Sequence, residues 1–238
     1  MKIITTLLLG FVGLANVLSA DIFYFDTFHG ERSPYDGQKG LVESLKLELK
    51  EGESEISAES LAGCKVLYLQ APNTKFLPAE KDAIIQFLKT GGSLYLVMDE
   101  ETRQSLAVTE VNDIIIPFGM MLTADTPYLH NQGGIGFKGK ILQKDYEVPY
   151  SGGRAVAGGT AFAYRLDEQG EPELPFGAYK ELDSGGRLVV MGEAMPSIFL
   201  GSKEGQRLTG IDRNVKKTVY FGKDSYPFMR DILSWLAD

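Results

Sequence analysis

Of 238 residues, 24 are Lys or Arg, 32 are Asp or Glu, two are His and one is Cys, so the formal charge is −8 at 44% hydrophobic content. That balance describes a globular chain long enough to bury a core, and it excludes disordered, collagen-like and disulfide-stapled classes. One cysteine and two histidines cannot build a Cys/His zinc site, and an acidic chain is a poor partner for nucleic acid, whose phosphates need clustered Lys and Arg.

The first twenty residues differ from the rest. Lys2 is their only charge, an apolar stretch runs from Leu7 to Leu18 with Gly10, Gly13 and Asn16 inside it, and Ser19 and Ala20 precede Asp21. This layout predicts a secretory signal peptide over 1–20, cut after Ala20 or alternatively after Ala15. The stretch is short for a membrane span, so a membrane is expected only through an uncleaved signal, and a buried N-terminal helix is the remaining alternative. No cysteine stands near the cut, which excludes a bacterial lipid anchor. The expected location is secreted or periplasmic, with a mature chain of 23 basic and 32 acidic residues.

From residue 21 onward, short apolar runs alternate with helical patterns, the signature of an α/β sheet. Ile22 to Phe25 reads as a first strand ending at Asp26. Leu41, Val42, Leu45 and Leu49 recur at helical spacing, and Val66 to Leu69 forms the next strand. Pro78 opens a helix with Ala79, Ala83, Ile84, Phe87 and Leu88 on one face, closed by Thr90-Gly91-Gly92. Ser93 to Met98 is apolar on both faces, as a central parallel strand requires. A helical stretch over 111–118 leads into Met120 to Leu122. Residues 126–182, with three Gly-Gly pairs and short alternating pieces, read as a β-rich excursion. Leu188 to Met191 resumes the sheet, and a last helix near Pro227 buries Phe228, Met229, Ile232, Leu233 and Leu236. No linker or solenoid repeat divides 21–238, so a single domain is expected.

Two segments look alike: Thr90-Gly91-Gly92-Ser93 to Asp99-Glu100, and Ser184-Gly185-Gly186-Arg187 to Gly192-Glu193. Each runs from a glycine turn through a buried strand to an acidic residue. Ligands of open α/β sheets bind beyond the carboxyl ends of the strands. Asp26, Asp99, Glu100 and Glu193 all fall there, and would ring one crevice if their strands are neighbours; otherwise they cap loops and helix starts. Asp26-Thr27-Phe28-His29-Gly30-Glu31 sets an imidazole between two carboxylates, with a glycine that admits close backbone approach. Four readings fit this run: a structural loop network, hydrogen bonds to ligand hydroxyls with Phe28 as an apolar wall, a general base, or a metal held by His29 and carboxylates. Three ligands converge poorly from so short a run, so no metal is expected. Asn73 joins the ligand-binding candidates, and His130 reads as a loop residue, with lining of the same crevice as the alternative.

Leu67-Tyr68-Leu69-Gln70-Ala71-Pro72, Lys75-Phe76, Phe87-Leu88-Lys89-Thr90-Gly91-Gly92-Ser93-Leu94, Phe118-Gly119-Met120, the Gly185 to Gly192 strand and Ile232-Leu233-Ser234-Trp235-Leu236 resemble, in order, the GIFT domain. That domain occurs in gliding-motility transporter auxiliary proteins and in an intraflagellar transport subunit. The resemblance implies a flavodoxin-like three-layer α/β sandwich with a mostly parallel sheet, similar to class I glutamine amidotransferases. It also implies binding of sugars or partners rather than catalysis. The expected departure is context, with a signal peptide before the domain and no transporter or coiled-coil segment after it.

Amidotransferases need a cysteine on the turn after a central strand and a histidine with a carboxylate after a later one. The corresponding turns here read Met98-Asp99-Glu100-Glu101 and Gly192-Glu193-Ala194-Met195-Pro196, and Cys64 precedes its strand, at the wrong end. The expectation is therefore a non-catalytic module without cofactor, binding a carbohydrate or a protein through Asp26, His29, Gly30, Glu31, Asn73, Asp99, Glu100 and Glu193. A glycan hydrolase using a carboxylate pair from Asp99, Glu100 and Glu193, and an assembly subunit with an apolar docking surface, are the alternatives. Gly134-Ile135-Gly136-Phe137-Lys138-Gly139 matches a dinucleotide fingerprint in letters only. No helix pattern follows it, so it reads as a glycine-rich hairpin.

Overall fold

A computed structural model describes residues 21–30, 34, 36–125, 133–150, 152–198, 200, 209–212, 217–220 and 224–238. The expected signal peptide, Glu31 and His130 lie outside these residues. The first half of the chain gives β1 (Ile22–Asp26), α1 (Asp36–Ser44), β2 (Glu48–Gly52), β3 (Cys64–Gln70), α2 (Pro78–Lys89) and β4 (Ser93–Val97). Two short helices, α3 (Leu106–Thr109) and α4 (Asn112–Ile115), and a 3-10 turn over Ile116–Phe118 lead to β5 (Met121–Asp125). The β-rich region holds β6 (Gly134–Gly136), β7 (Tyr146–Val148), β8 (Arg154–Ala157), β9 (Thr160–Leu166) and β10 (Pro172–Glu181). The chain then runs through β11 (Arg187–Met191), α5 (Met195–Ile198), β12 (Thr209–Asp212), β13 (Lys217–Tyr220) and α6 (Ser225–Ala237).

Nine strands form one sheet in the order β2-β1-β3-β4-β11-β10-β9-β6-β7. The pairs from β2 to β11 are parallel and those from β11 to β7 antiparallel. The β-rich reading of 126–182 holds for its described residues, which stay with the sheet rather than leaving it. Their strands β10, β9, β6 and β7 extend it, while β8 pairs with β5 in a separate ribbon.

The parallel half is apolar on both faces because successive side chains point to opposite sides. Phe23, Phe25, Val66, Tyr68, Tyr95, Val97, Val189 and Met191 pack on one face with Leu41 and Val42 of α1 and Phe228, Ile232 and Leu236 of α6. Tyr24, Leu67, Leu69, Leu94, Leu96, Leu188 and Val190 pack on the other with Ile84 and Leu88 of α2 and Ile114 and Ile115 of α4. Burying each such side chain contributes about 1.5–3 kcal/mol, which is the driving force for the three layers.

Leu49 lies in β2, not in the helix its spacing with Leu41 and Leu45 suggested. Lys46 takes a left-handed φ of 61° that stops the helix, and Glu48-Leu49-Lys50-Glu51 is a charged edge strand whose alternation a helical template absorbs. The Gly134 to Gly139 run does form a hairpin: β6 pairs antiparallel with β7. A Cβ at Gly134 would stand 2.8 Å from Phe176, and one at Gly136 2.7 Å from Phe228. These glycines make room for aromatic rings.

Candidate functional site

The carboxyl edge of the parallel strands carries two separate polar clusters, because β3 stands between β1 and β4. The first gathers around His29. Asp26, last residue of β1, accepts hydrogen bonds at Oδ1 from the N–H groups of Phe28 (3.1 Å) and His29 (3.4 Å), turning the loop sharply. Its Oδ2 lies 3.0 Å from His29 Nδ1. His29 Nε2 lies 3.2 Å from the Glu80 carboxylate, 51 positions away in sequence. All three side chains are buried.

Glu80 is the third residue of α2, and there it reaches back to Leu77 N–H at 2.8 Å, the carboxylate half of a capping box. Leu77, the N-cap, has no oxygen to complete the other half, and Pro78 removes one N–H that would lack a partner. The second Glu80 oxygen accepts Ile56 N–H at 2.8 Å. The His29 ring stacks on Phe76 at 4.0 Å and meets the Phe28 ring edge-on at 5.1 Å. Burial opposes charge on the imidazole, but the hydrogen bond and charge of Asp26, then the charge and hydrogen bond of Glu80, outweigh it and raise its pKa.

Backbone contacts tie the neighbouring turn to this cluster. Asn73 N–H donates to His29 C=O at 3.0 Å, and a Cβ at Gly30 would stand 3.0 Å from Gln70 C=O. Gly30 therefore lets the loop lie on the end of β3. Ala71, directly after β3, holds a left-handed φ of 47°, a strain of about 1–2 kcal/mol for an alanine. Its N–H donates to Val97 C=O at 2.8 Å.

The second cluster joins the ends of β4 and β11, which are sheet neighbours. Asp99 and Glu193 are both buried. Burial first, then the charge of Glu193 and the proximity of Glu100, push the Asp99 carboxyl up to about 9, so at neutral pH it holds its proton. Glu193 Oε1 accepts Met195 N–H at 2.9 Å, at the entry to α5. Arg103, 55% exposed, covers the group from solvent, with Nη1 3.1 Å from Asp99 Oδ2 and Nε 2.8 Å from Glu100 Oε1.

Below this cap, Arg154 of β8 is buried. Its Nε donates to Asp99 C=O at 2.7 Å, and its Nη2 donates to Gln104 C=O at 2.7 Å and to Glu101 Oε2 at 2.6 Å. The backbone reaches this position by a close crossing, since a Cβ at Gly192 would stand 2.1 Å from Arg154 C=O.

The structure thus brings Asp26, His29, Gly30 and Asn73 together, and Asp99, Glu100 and Glu193 together, but as two groups rather than one ring. Glu80, Arg103 and Arg154 were missed from sequence. Only Glu80 left a signal, at the third position after the N-cap of a helix opened by proline. The two turns compared by sequence with those of amidotransferases carry Asp99 and Glu193, at the ends of β4 and β11. Cys64 opens β3 at the opposite edge, where its Sγ lies 3.6 Å from Ser60 C=O and burial raises the thiol. Among the described residues, no group of three or more His, Cys, Asp or Glu could hold a metal ion.

Beside the buried His29 cluster the surface mixes apolar and polar side chains, with Thr74 and Lys75 exposed next to Phe76. Phe28, Leu77 and Val108 are 47%, 42% and 51% exposed. Phe28 and Leu77 adjoin the stacked His29 and Phe76, and Val108 adjoins Thr109, whose C=O accepts Phe76 N–H at 3.4 Å. Phe28 and Leu77 are thus exposed on segments that contact His29 and Glu80, and the exposed Val108 lies on a third segment hydrogen-bonded through its neighbour Thr109 to Phe76.

Residues 25–129 match the family model of the IFT52 GIFT domain. The chain is 29% identical over 142 residues to the human intraflagellar transport protein 52 homolog, and 28% identical over 131 residues to the mouse protein. These matches cover 56% and 51% of this chain but 30% of each relative, so the chain spans less than a third of the curated relatives it matches. The solved mmIFT52 N-terminal domain superposes with a TM-score of 0.66 at 17% identity, over 91% of this chain and 97% of that one. A Thermoplasma acidophilum protein described as a GMP synthase component superposes with a TM-score of 0.53 at 9% identity, over 92% of this chain and 96% of that one. The resemblance to the GIFT domain is borne out, and so is the flavodoxin-like α/β fold it implied.

Proposed function

We propose that the chain is a docking module that holds a protein partner, as one component of an assembly, at the carboxyl edge of its parallel strands. The observation that carries this reading is the set of exposed Phe28, Leu77 and Val108 side chains, fixed beside a buried ionic centre. Exposed apolar side chains carried on rigid segments are what a protein interface uses. The human relative's name, intraflagellar transport protein 52 homolog, points the same way. Asp99 and Glu193, the best pair for acid–base chemistry, are both buried and so are poorly placed to reach a glycan.

A carbohydrate ligand is the second reading, favoured by one observation: the exposed Phe28 ring beside the half-buried Asn73 is a pairing that a sugar face accepts. The signal-like residues 1–20 support a secreted or periplasmic place of work, so the partner would be met outside the cytoplasm.

Cross-linking of the whole chain in its native compartment, followed by mass spectrometry, tests the main reading. One partner should be captured by wild type and lost with Phe28→Asp combined with Val108→Asp, while the unfolding midpoint stays within about 0.5 kcal/mol equivalents, as for exposed positions. Glycan-array binding that depends on Phe28, with no captured protein, would replace it by the sugar reading. N-terminal sequencing of the secreted fraction checks cleavage after Ala20 or Ala15.

A further inference from the structure

The His29 centre has an internal requirement that the fold alone does not explain. Its two ring nitrogens face two carboxylates, Asp26 at 3.0 Å and Glu80 at 3.2 Å. A neutral imidazole has one N–H, so one nitrogen would turn a lone pair toward a carboxylate oxygen. Only the imidazolium donates to both. Each carboxylate is also an anchor for backbone: Asp26 for the N–H groups of Phe28 and His29, Glu80 for those of Ile56 and Leu77.

We infer that His29 is a proton-operated clamp: as the imidazolium it ties the 27–30 loop to the start of α2, and on losing its proton it loosens the apolar face that these segments carry. Its bearing on docking rests on the function proposed above; the clamp itself does not. The titratable and charged groups facing the ring among the described residues are Asp26 of β1 and Glu80 of α2, with the Tyr24 hydroxyl of β1 the next group coupled to both. Phe76 and Phe28 close the remaining sides with aromatic surface.

The direction follows from linkage. The folded imidazole is held above its ordinary 6.5, so the clamp is complete below that value and is lost as pH rises through the folded one. Between the two values the opened segment releases a proton that the closed one keeps. The opening constant therefore rises by up to about tenfold per pH unit and then levels.

Hydrogen exchange on the whole chain, corrected for the intrinsic pH dependence of amide exchange, reads this directly. Protection of the Phe28, Ile56 and Leu77 amides should fall through that window, with Leu96 in β4 unchanged, while the His29 Cε1–H resonance titrates above 6.5. His29→Gln, which cannot carry the charge, should show the same amides without the pH step. Flat protection across the His29 titration, or titration at or below 6.5, overturns the clamp. If His29→Gln does not fold, the wild-type profile decides alone. A flat profile with Phe28-dependent partner capture intact would remove the switch and leave the docking reading; a pH step without capture would do the reverse.

Discussion

The two polar clusters at the strand ends solve the same problem in opposite ways. Around His29, a ring that can carry positive charge sits between two buried carboxyl groups, and backbone N–H groups take up the remaining oxygens. Around Asp99, burial and the charge of Glu193 raise the carboxyl, and among the described residues Arg103 reaches that carboxyl from the solvent side. The first site stabilises charge with charge; the second removes it by keeping a proton on Asp99 at a pKa of about 9. A strand end therefore need not be a reaction centre to collect buried titratable groups. What distinguishes the pair is which protonation state the fold enforces.

The largest expected effect comes from breaking the first cluster. Glu80→Ala leaves the Ile56 and Leu77 N–H groups and the imidazole without their partner. Urea denaturation should show a loss of about 3–5 kcal/mol, as for one member of a buried ion pair. The second cluster should respond with the opposite sign. Because the folded pKa of Asp99 is raised above its ordinary 3.8, the native state keeps a proton that the unfolded chain gives up. Its burial therefore costs stability increasingly as pH rises from 3.8 towards 9. Asp99→Asn, which needs no proton but still buries a polar group, should recover part of the roughly 4 kcal/mol that the rise from pH 3.8 to 7 costs, about 1–2 kcal/mol at pH 7 with little gain at pH 4, in paired melts at the two pH values. The smallest effect belongs to Arg103→Gln. Its half-exposed ion pair with Glu100 should be worth no more than about 1 kcal/mol and should fade in added salt, measured by denaturation with and without 0.5 M NaCl. Equal signs for Glu80→Ala and Asp99→Asn at pH 7 would erase the distinction between the clusters.

Much of the scaffold was legible because its parallel strands are apolar on both faces. Ile22 to Phe25, Val66 to Leu69, Ser93 to Met98 and Leu188 to Met191 are short runs that little else in a globular chain produces. β2 escaped because an edge strand with charged residues leaves no such run, and Leu49 happened to continue a helical spacing. The antiparallel strands were read as strands but not as part of the same sheet, since pairing partners are set by packing rather than by local pattern. The site divided in the same manner. Asp26 and His29 are three residues apart, so their partnership could be read, whereas Glu80 arrives from 51 positions away and resembles an ordinary polar residue in the first turn of a helix.

The far edge of the sheet has a consequence for how the molecule is made. The outer side of β7 is closed by Asp224, whose N–H donates to Glu147 C=O and whose carboxylate accepts Glu147 N–H, both at 3.1 Å. During synthesis that border stays open until residue 224 has left the ribosome, long after β7 itself has emerged. A nascent chain halted before residue 224 would offer a bare strand to its neighbours, and the segment leading into α6 is the one that makes the sheet safe to crowd.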